Sequence, residues 1–130
     1  MNELAQTMAA SASGMRAQSA RLRLSSENIA NVDTPGYRRK TVSFEETFQR
    51  GREAGAVTTG PVRLDRSELP RIYDPTNPMA GVDGYFQGSN VDLMVEIADA
   101  REANRSYQAN LRMFDQARQM ASSLLDLLRR

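Results

Sequence analysis

Residues 91–130, VDLMVEIADA REANRSYQAN LRMFDQARQM ASSLLDLLRR, contain neither Pro nor Gly. Apolar side chains recur here at alternating spacings of four and three, which is the period of a helix with an apolar seam. The pattern predicts one long helix that begins near residue 90. Its seam positions are Leu93, Ile97, Ala100, Asn104, Tyr107, Leu111, Phe114, Arg118, Ala121, Leu125 and Leu128.

This helix carries two features that bear on its partners. Asn104 and Arg118 interrupt the apolar seam, and a buried Asn in such a seam often fixes the register of the paired helices. A second apolar stripe runs beside the first from residue 113, and a helix with two seams contacts more than one neighbour. The alternative is a single broad apolar face on an ordinary core helix. The second stripe comprises Met113, Ala117, Met120, Leu124 and Leu127.

The N-terminal flank predicts a weaker helix. Residues 1–32 contain no Pro and only one Gly, Gly14, and an apolar residue recurs every seventh position. The rest of this flank is mostly Ala, Ser and Gln. Such a thin stripe does not stabilise a helix alone, so the helix needs a partner surface. The stripe consists of Met1, Met8, Met15, Leu22 and Ile29.

Turns and short strands are predicted between the two helices. All five Pro and seven of the eight Gly lie between residues 35 and 88. Thr34-Pro35-Gly36-Tyr37 has Pro and Gly where a type II turn requires them. Alternating side chains over 40–44 predict a half-buried strand. Residues 57–59 and 62–64 predict a loose hairpin, and 74–90 a long loop.

Two local patterns complete this middle region. Phe44 and Phe48 are four residues apart around Glu45-Glu46, which predicts one helical turn with a solvated acidic face. Ser89 is followed by Asp92 three residues later, which resembles a capping box at the start of the second helix.

Composition excludes several classes of function. The chain of 130 residues contains no Cys, His or Trp, so it has no disulfides, no Cys/His metal or haem site and no His-based catalytic triad. Its formal net charge is +1, which argues against general nucleic-acid binding. No apolar run is long enough to span a bilayer, and no Sec-type leader precedes Arg16. We expect no catalytic residues, no cofactor and no metal site.

The basic cluster Arg38-Arg39-Lys40 leaves two interpretations open. It contacts a phosphate or an acidic partner, or it starts a strand with solvated edges. No phosphate-binding glycine motif and no EF-hand spacing accompany it.

Two stretches resemble the bacterial flagellar rod and hook family. The first is Ser26–Arg39, SENIANVDTPGYRR, and the second is Arg101–Asn110, REANRSYQAN. Within the family, the short chain and the segment Asp74-Pro75-Thr76-Asn77-Pro78 are most similar to a proximal rod subunit. The family motif residues present are Asn28, Asn31, Asp33, Thr34, Pro35, Gly36, Tyr37, Arg105, Ser106, Gln108 and Asn110.

The resemblance implies a mainly α fold. The N-terminal helix (1–32) and the C-terminal helix (90–130) would pair as a coiled-coil inner domain, and an outward-facing segment (33–89) with short strands would lie between them. The residues expected to pack helices or subunits are Met8, Met15, Leu22, Ile29, Tyr107, Leu111, Phe114, Met120, Leu124 and Leu125.

The resemblance also implies a function and a location. The chain would be a structural subunit of the proximal rod, assembling helically into the shaft that carries motor torque across the periplasm. Its partners would be itself, other proximal and distal rod proteins, adjacent basal-body base components and the type III export apparatus, without nucleic acid and without a membrane span. Export would proceed without a cleaved signal peptide.

Two alternatives remain at this point. The chain is another rod subunit of the same family, or it is a soluble helical-hairpin adaptor or chaperone that binds a partner helix. The second alternative explains two seams on one helix, but it does not explain the two family motifs.

Overall fold

The fold is mainly α, as expected, with two long helices around a middle segment of short strands. The computed structural model describes residues 2–46 and 55–130, so Met1 and Phe48 lie outside the described residues. The helices are α1 (Asn2–Ala30) and α2 (Leu93–Leu128). The strands are β1 (Lys40–Thr41), β2 (Phe44–Glu46), β3 (Val57–Thr59), β4 (Arg63–Leu64), β5 (Arg71–Tyr73) and β6 (Tyr85–Gln87).

The two helices pack against each other in antiparallel orientation. Gly14 of α1 lies against Asn110 of α2, and Arg21 further along α1 meets Asp99 and Glu102 nearer the start of α2. The 36 residues of α2 exceed the 29 of α1, and every residue from 122 to 130 is exposed. The last two turns of α2 therefore extend beyond the part of α1 that the structure describes.

Small side chains form the seam between the helices. The buried apolar residues of the pair are Ala17, Leu24, Ala103 and Ala117, and Gly14 is also buried. A Cβ on Gly14 would lie 2.8 Å from the side-chain amide of Asn110, so the helices approach closely here. A seam of this kind brings the two backbones close together but buries little apolar area.

The predicted polar interruptions of the α2 seam do not lie in it. Asn104 and Arg118 are both exposed, so the expectation that Asn104 is buried in the seam is wrong. The most buried heptad line of α2 runs one residue earlier, through Glu96, Ala103 and Ala117. A one-residue shift rotates a helical position by about 100°, which is enough to move Asn104 to the surface.

A bent hairpin follows α1, and it differs from the predicted one. Strand β1 pairs with β4, and β2 pairs with β3, both antiparallel. Residues 57–59 and 62–64 therefore do not pair with each other, and Phe44 begins a strand rather than a helical turn. Three residues, 60–62, oppose two, 42–43, and Pro61 lies in this irregular stretch because it has no N–H to donate to a ladder.

A second hairpin, β5–β6, contains most of the predicted long loop, since 74–84 form the loop between its strands and only β6 falls within the predicted stretch. Ile72 pairs with Phe86, and the loop between the strands closes on itself. The backbone N–H of Asp74 donates to Gly84 O at 3.0 Å, and Asp74 Oδ1 accepts from Thr76 N at 3.1 Å. Local hydrogen bonds thus order this loop without any outside partner.

Helix α2 begins with a capped turn. Asp92 is the N-cap residue, and its carboxylate accepts from the N–H groups of Met94 and Val95. The cap is therefore Asp92 and not Ser89. Neither described helix is long and apolar enough to cross a membrane.

Candidate functional site

Polar side chains join the end of α1, the first hairpin and the start of α2 at one place, which we call the junction. It comprises Asn28, Tyr37, Arg39, Asn90 and Glu96. Asn28 and Glu96 are the largest fully buried side chains, each 1% exposed. Burying a polar side chain costs free energy unless it is hydrogen-bonded or ion-paired, so the stability of this region depends on the partners of these two side chains.

The Asn28 side chain is bonded on both of its polar atoms. Its Nδ2 donates to Lys40 O, and its Oδ1 accepts from Lys40 N, each at 2.9 Å. The same Oδ1 accepts from the Tyr37 hydroxyl at 2.9 Å. Asn28 therefore attaches strand β1 to the last turn of α1.

The chain between Asn28 and Tyr37 ends the helix and turns. Asn31 Nδ2 donates to Glu27 O at 2.8 Å, which occupies a carbonyl of the last helical turn, and its Oδ1 accepts from Thr34 Oγ1 at 3.0 Å. Tyr37 N donates to Thr34 O, and Gly36 has φ of 75°. These values are those of a type II turn, and the predicted turn is confirmed.

Ser89 and Asn90 connect this turn to α2. The Ser89 hydroxyl donates to Val32 O, and Asn90 N donates to Tyr37 O. The Asn90 side chain accepts from Arg39 N at 2.6 Å and donates to Asp65 O at 3.0 Å. The start of α2 is thus fixed to the end of α1 through backbone groups.

An ion-pair network runs from the hairpin across both helices. Arg39 Nε pairs with Glu96 Oε1, and Arg39 Nη2 pairs with Asp99 Oδ2 at 2.8 Å. Arg21 of α1 reaches Asp99 and Glu102, each at 3.3 Å. Partial burial lowers the pKa of Arg39, but the hydrogen bond and charge of Glu96, together with the charges of Asp99 and Asp65, outweigh it, so the pKa is raised overall.

The predicted basic cluster has divided roles. Arg39 is held in the network, and Lys40 Nζ pairs with Glu27 of α1. The hydrogen bond to Glu27 is the largest influence on Lys40 and raises the pKa of its ammonium group. Two of the three basic side chains therefore form ion pairs within the chain, whereas Arg38 bonds only backbone carbonyl groups, those of Asp65 and Ser67.

Large apolar side chains, in contrast, lie mainly on the surface. Nine of α2 are exposed, and five of them follow residue 113, with Met120 at 52% and Leu128 at 78% exposure. Because the helix pair buries mostly small side chains, most of the large apolar residues of α2 remain exposed to solvent. The nine are Leu93, Met94, Val95, Met113, Met120, Leu124, Leu125, Leu127 and Leu128.

Two family models match the two ends of the chain, where the helices lie. The model described as "Flagella basal body rod protein" matches residues 8–38, and the model described as "Flagellar basal body rod FlgEFG protein C-terminal" matches residues 82–127. Each matched range contains part of the junction: residues 8–38 include Asn28 and Tyr37, and residues 82–127 include Asn90 and Glu96.

Relatives extend the similarity over nearly the whole chain. The flagellar basal-body rod protein FlgC of Agrobacterium fabrum is 42% identical, over 99% of this chain and 98% of its own length. The chain belongs to the FlgC family of flagellar basal-body rod proteins. FlgC of Salmonella typhimurium is 33% identical over 88% of this chain and 90% of its own, and FlgC of Bacillus subtilis is 32% identical over 90% and 93%.

The first FlgC-family motif lies in the junction. Asn28, Asn31, Thr34 and Tyr37 make the bonds described above, and Gly36 N donates to Gln87 O at 3.0 Å. Pro35 occupies the second position of the turn, and Asp33 is exposed beside it.

The second motif is spread around α2. Asn110 faces Gly14, and its Nδ2 donates to Ser106 O at 2.9 Å. Ser106 is half-buried, whereas Arg105 and Gln108 are exposed. The two motifs do not form one cluster, because about three helical turns separate Ser106 from Glu96.

The ten predicted packing residues divide into two sets. Seven are half-buried along the flanks of the small-residue seam, and three at the C-terminal end are exposed. The first set is Met8, Met15, Leu22, Ile29, Tyr107, Leu111 and Phe114; the second is Met120, Leu124 and Leu125.

Sequence reasoning missed the small and charged members of the interior. Gly14, Ala103 and Glu96 lie at the helix contact, yet hydrophobic periodicity gives weight to large apolar residues. The available signal was the line Gly14, Ala17, Arg21, Leu24 and Asn28, which also alternates by three and four.

A metal site has no support in the described ranges. No group of three or more carboxylates there is placed to hold a metal ion.

Proposed function

We propose that this chain is a structural subunit of the proximal flagellar rod. It assembles helically with copies of itself and with other rod proteins into the shaft that transmits motor torque across the periplasm. The observation that carries this proposal is the distribution of side chains, with mainly small residues buried between the helices and nine large apolar residues of α2 exposed.

This distribution supports assembly into an open lattice. The half-buried flank of α1 and the exposed end of α2 are different surfaces, so contact between them in neighbouring subunits is heterologous. Heterologous contacts that do not close on themselves generate filaments with helical symmetry. Covering Met120, Leu124 and Leu128 removes apolar area from water at about 25 cal/mol per Å².

The junction supports the mechanical part of the role. Torque loads the connection between the helix pair and the outward segment, and this connection consists of directed hydrogen bonds and ion pairs. Asn28, Asn90 and Arg39 each bond backbone or charged groups from another element. We infer that the outward segment turns with the helix pair as one unit.

Several finer statements belong to the same proposal. The subunit is not an enzyme and uses no cofactor. Its partners include distal rod proteins, adjacent basal-body base components and the type III export apparatus, through which it leaves the cytoplasm with an uncleaved N-terminus. The domain boundaries are those of an inner coiled coil, residues 1–32 and 90–130, around an outward segment, 33–89.

Quantitative mass spectrometry of purified hook–basal bodies tests the proposal. We expect the chain at a few copies per basal body, with an intact N-terminal peptide. Recovery from the cytosol as a discrete oligomer, with none in basal bodies, would favour a helical-hairpin adaptor and contradict the rod assignment.

A further inference from the structure

Three guanidinium groups surround one shallow depression at the base of the first hairpin. Its lining residues are Arg38, Arg63, Leu64 and Arg66, and its volume is about 960 Å³. We call this surface the arginine patch. It lies on the outward segment and includes none of the exposed apolar residues of α2.

The Arg38 side chain is fixed in place. Its Nη1 donates to Asp65 O at 3.2 Å and to Ser67 O at 3.0 Å. Asn90 Nδ2 donates to the same Asp65 carbonyl at 3.0 Å, so the loop after β4 is held from two sides. Arg63 sits on β4 opposite Thr41. The patch thus has an ordered framework on which its arginines are presented.

The charge of the patch is only partly offset within the part of the chain that the structure describes. Arg63 and Arg66 are exposed, and neither forms an ion pair with a described residue. Asp65 lies between them in sequence, and its Oδ1 accepts from Ser67 N at 2.8 Å. The hydrogen bonds from Ser67 and the charges of Arg39 and Arg38 lower the pKa of the Asp65 carboxyl, so its negative charge faces Arg38 and not Arg63 or Arg66 in an ion pair. By contrast, Arg21, Arg39 and Arg71 all pair with carboxylates.

We propose that the arginine patch docks an acidic polypeptide segment of a different protein, one in which carboxylates flank an apolar side chain. Guanidinium forks match carboxylates in bidentate geometry. Leu64 lies among them and is 53% exposed, which gives the segment an apolar contact that a simple anion does not use.

A second copy of the chain does not offer the matching surface. The acidic cluster of α2, Glu96, Asp99 and Glu102, is already paired with Arg39 and Arg21 of the same chain. The partner is therefore another protein, and the patch adds a contact beyond the helix-mediated assembly of the proposed function.

Peptide binding to the purified full-length chain tests the inference. The probe is a fluorescein-labelled Glu-Leu-Glu-Leu-Glu peptide, and its matched control is Gln-Leu-Gln-Leu-Gln. We expect the acidic peptide alone to bind, with affinity that falls by about tenfold in about 0.3 M NaCl relative to low salt. Arg63→Glu/Arg66→Glu should abolish binding, and Arg101→Glu/Arg112→Glu, with the same change in net charge on α2, should retain it.

Each contrary result overturns the proposal in a different way. Equal loss in both double variants means nonspecific attraction to net charge. Complete competition by inorganic phosphate means a simple anion site, and self-association that is lost in Arg63→Glu/Arg66→Glu means a second copy. Failure of the acidic peptide to bind the wild-type chain also rejects it. If the Glu variant misfolds by circular dichroism, Arg63→Gln/Arg66→Gln replaces it. None of these results changes whether the chain is present in basal bodies.

Discussion

Asn28 binds Lys40 through both backbone groups of that residue, with Nδ2 donating to its carbonyl and Oδ1 accepting from its N–H, each at 2.9 Å. The side-chain amide thus makes the two backbone hydrogen bonds that a neighbouring strand would make with this residue. It holds β1 against α1 and accepts the Tyr37 hydroxyl as well. An Asn in the last turns of a helix thus determines where the outward segment leaves it.

Replacing Asn28 with Ala should destabilise the chain by about 2–3 kcal/mol, because Lys40 N–H, Lys40 C=O and the Tyr37 hydroxyl lose their partner in a buried place. Urea unfolding followed by circular dichroism measures the change. Asn104→Ala is the control, since Asn104 is exposed and its loss should cost less than about 0.5 kcal/mol. Equal effects of the two variants would contradict the role given to Asn28.

Gly14 and Asn110 should be energetically coupled. A Cβ at position 14 meets the Asn110 amide at 2.8 Å, so Gly14→Ala alone combines a steric cost with a helix-propensity gain of about 1 kcal/mol. In an Asn110→Ala background the steric cost disappears and the gain remains. A double-mutant cycle by urea unfolding should give a coupling of about 1 kcal/mol. Additive effects would mean that the helices are further apart here.

Tyr37→Phe should lower stability by about 1 kcal/mol at neutral pH, because the hydrogen bond to Asn28 is lost. Burial is the main cause that raises the pKa of the Tyr37 phenol above its ordinary value, and the nearby Glu27 adds to it. The folded chain therefore holds this proton more tightly than the unfolded chain does. The stabilisation is fully present below the unfolded pKa and is lost as pH rises through the folded pKa.

The difference in unfolding free energy between wild type and Tyr37→Phe should thus shrink above about pH 10. Urea titrations at neutral and alkaline pH measure it. A difference that grows with pH would have the wrong sign for this account.

Glu96→Gln should destabilise the junction by about 1–2 kcal/mol, because Arg39 loses its buried charged acceptor. Glu102→Gln is the matched control, since Glu102 bonds Arg21 from an exposed position and surface pairs contribute little. Thermal unfolding of both variants under one set of conditions provides the comparison. An equal or larger loss in Glu102→Gln would show that burial of Glu96 is not what makes its pair important.

The sequence predicted the two helices, the Asn–Tyr turn and the family, because these depend on local patterns. Breaker-free flanks define the helices, and Pro35-Gly36 has a single low-energy turn geometry. The strand pairing was not predictable in the same way. Strand β1 pairs with β4 and β2 pairs with β3, and the bulge that lies between these two pairs depends on tertiary packing. Residues 57–59 and 62–64 are adjacent in sequence and look like a hairpin for that reason alone.

Hydrophobic periodicity also did not predict which residues form the seam between the helices. Met8, Met15, Leu22 and Ile29 repeat every seven residues, and the buried line Gly14, Ala17, Leu24 and Asn28 lies next to them. A stripe of large apolar residues predicts which surface is removed from water. It does not predict whether a helix of the same chain or another chain covers that surface. In this chain the seam with the smaller side chains faces inward.

The central claim is that the exposed apolar end of α2 serves contacts between chains and not the stability of one chain. Leu125→Asp tests it, with Ser122→Asp as a control that adds the same charge to the same exposed turns. In a strain that lacks the wild-type chain, we expect Leu125→Asp to unfold at the wild-type urea midpoint and to be absent from purified basal bodies, whereas Ser122→Asp is incorporated. Normal incorporation of Leu125→Asp, or a lower urea midpoint for its isolated chain, would contradict the account.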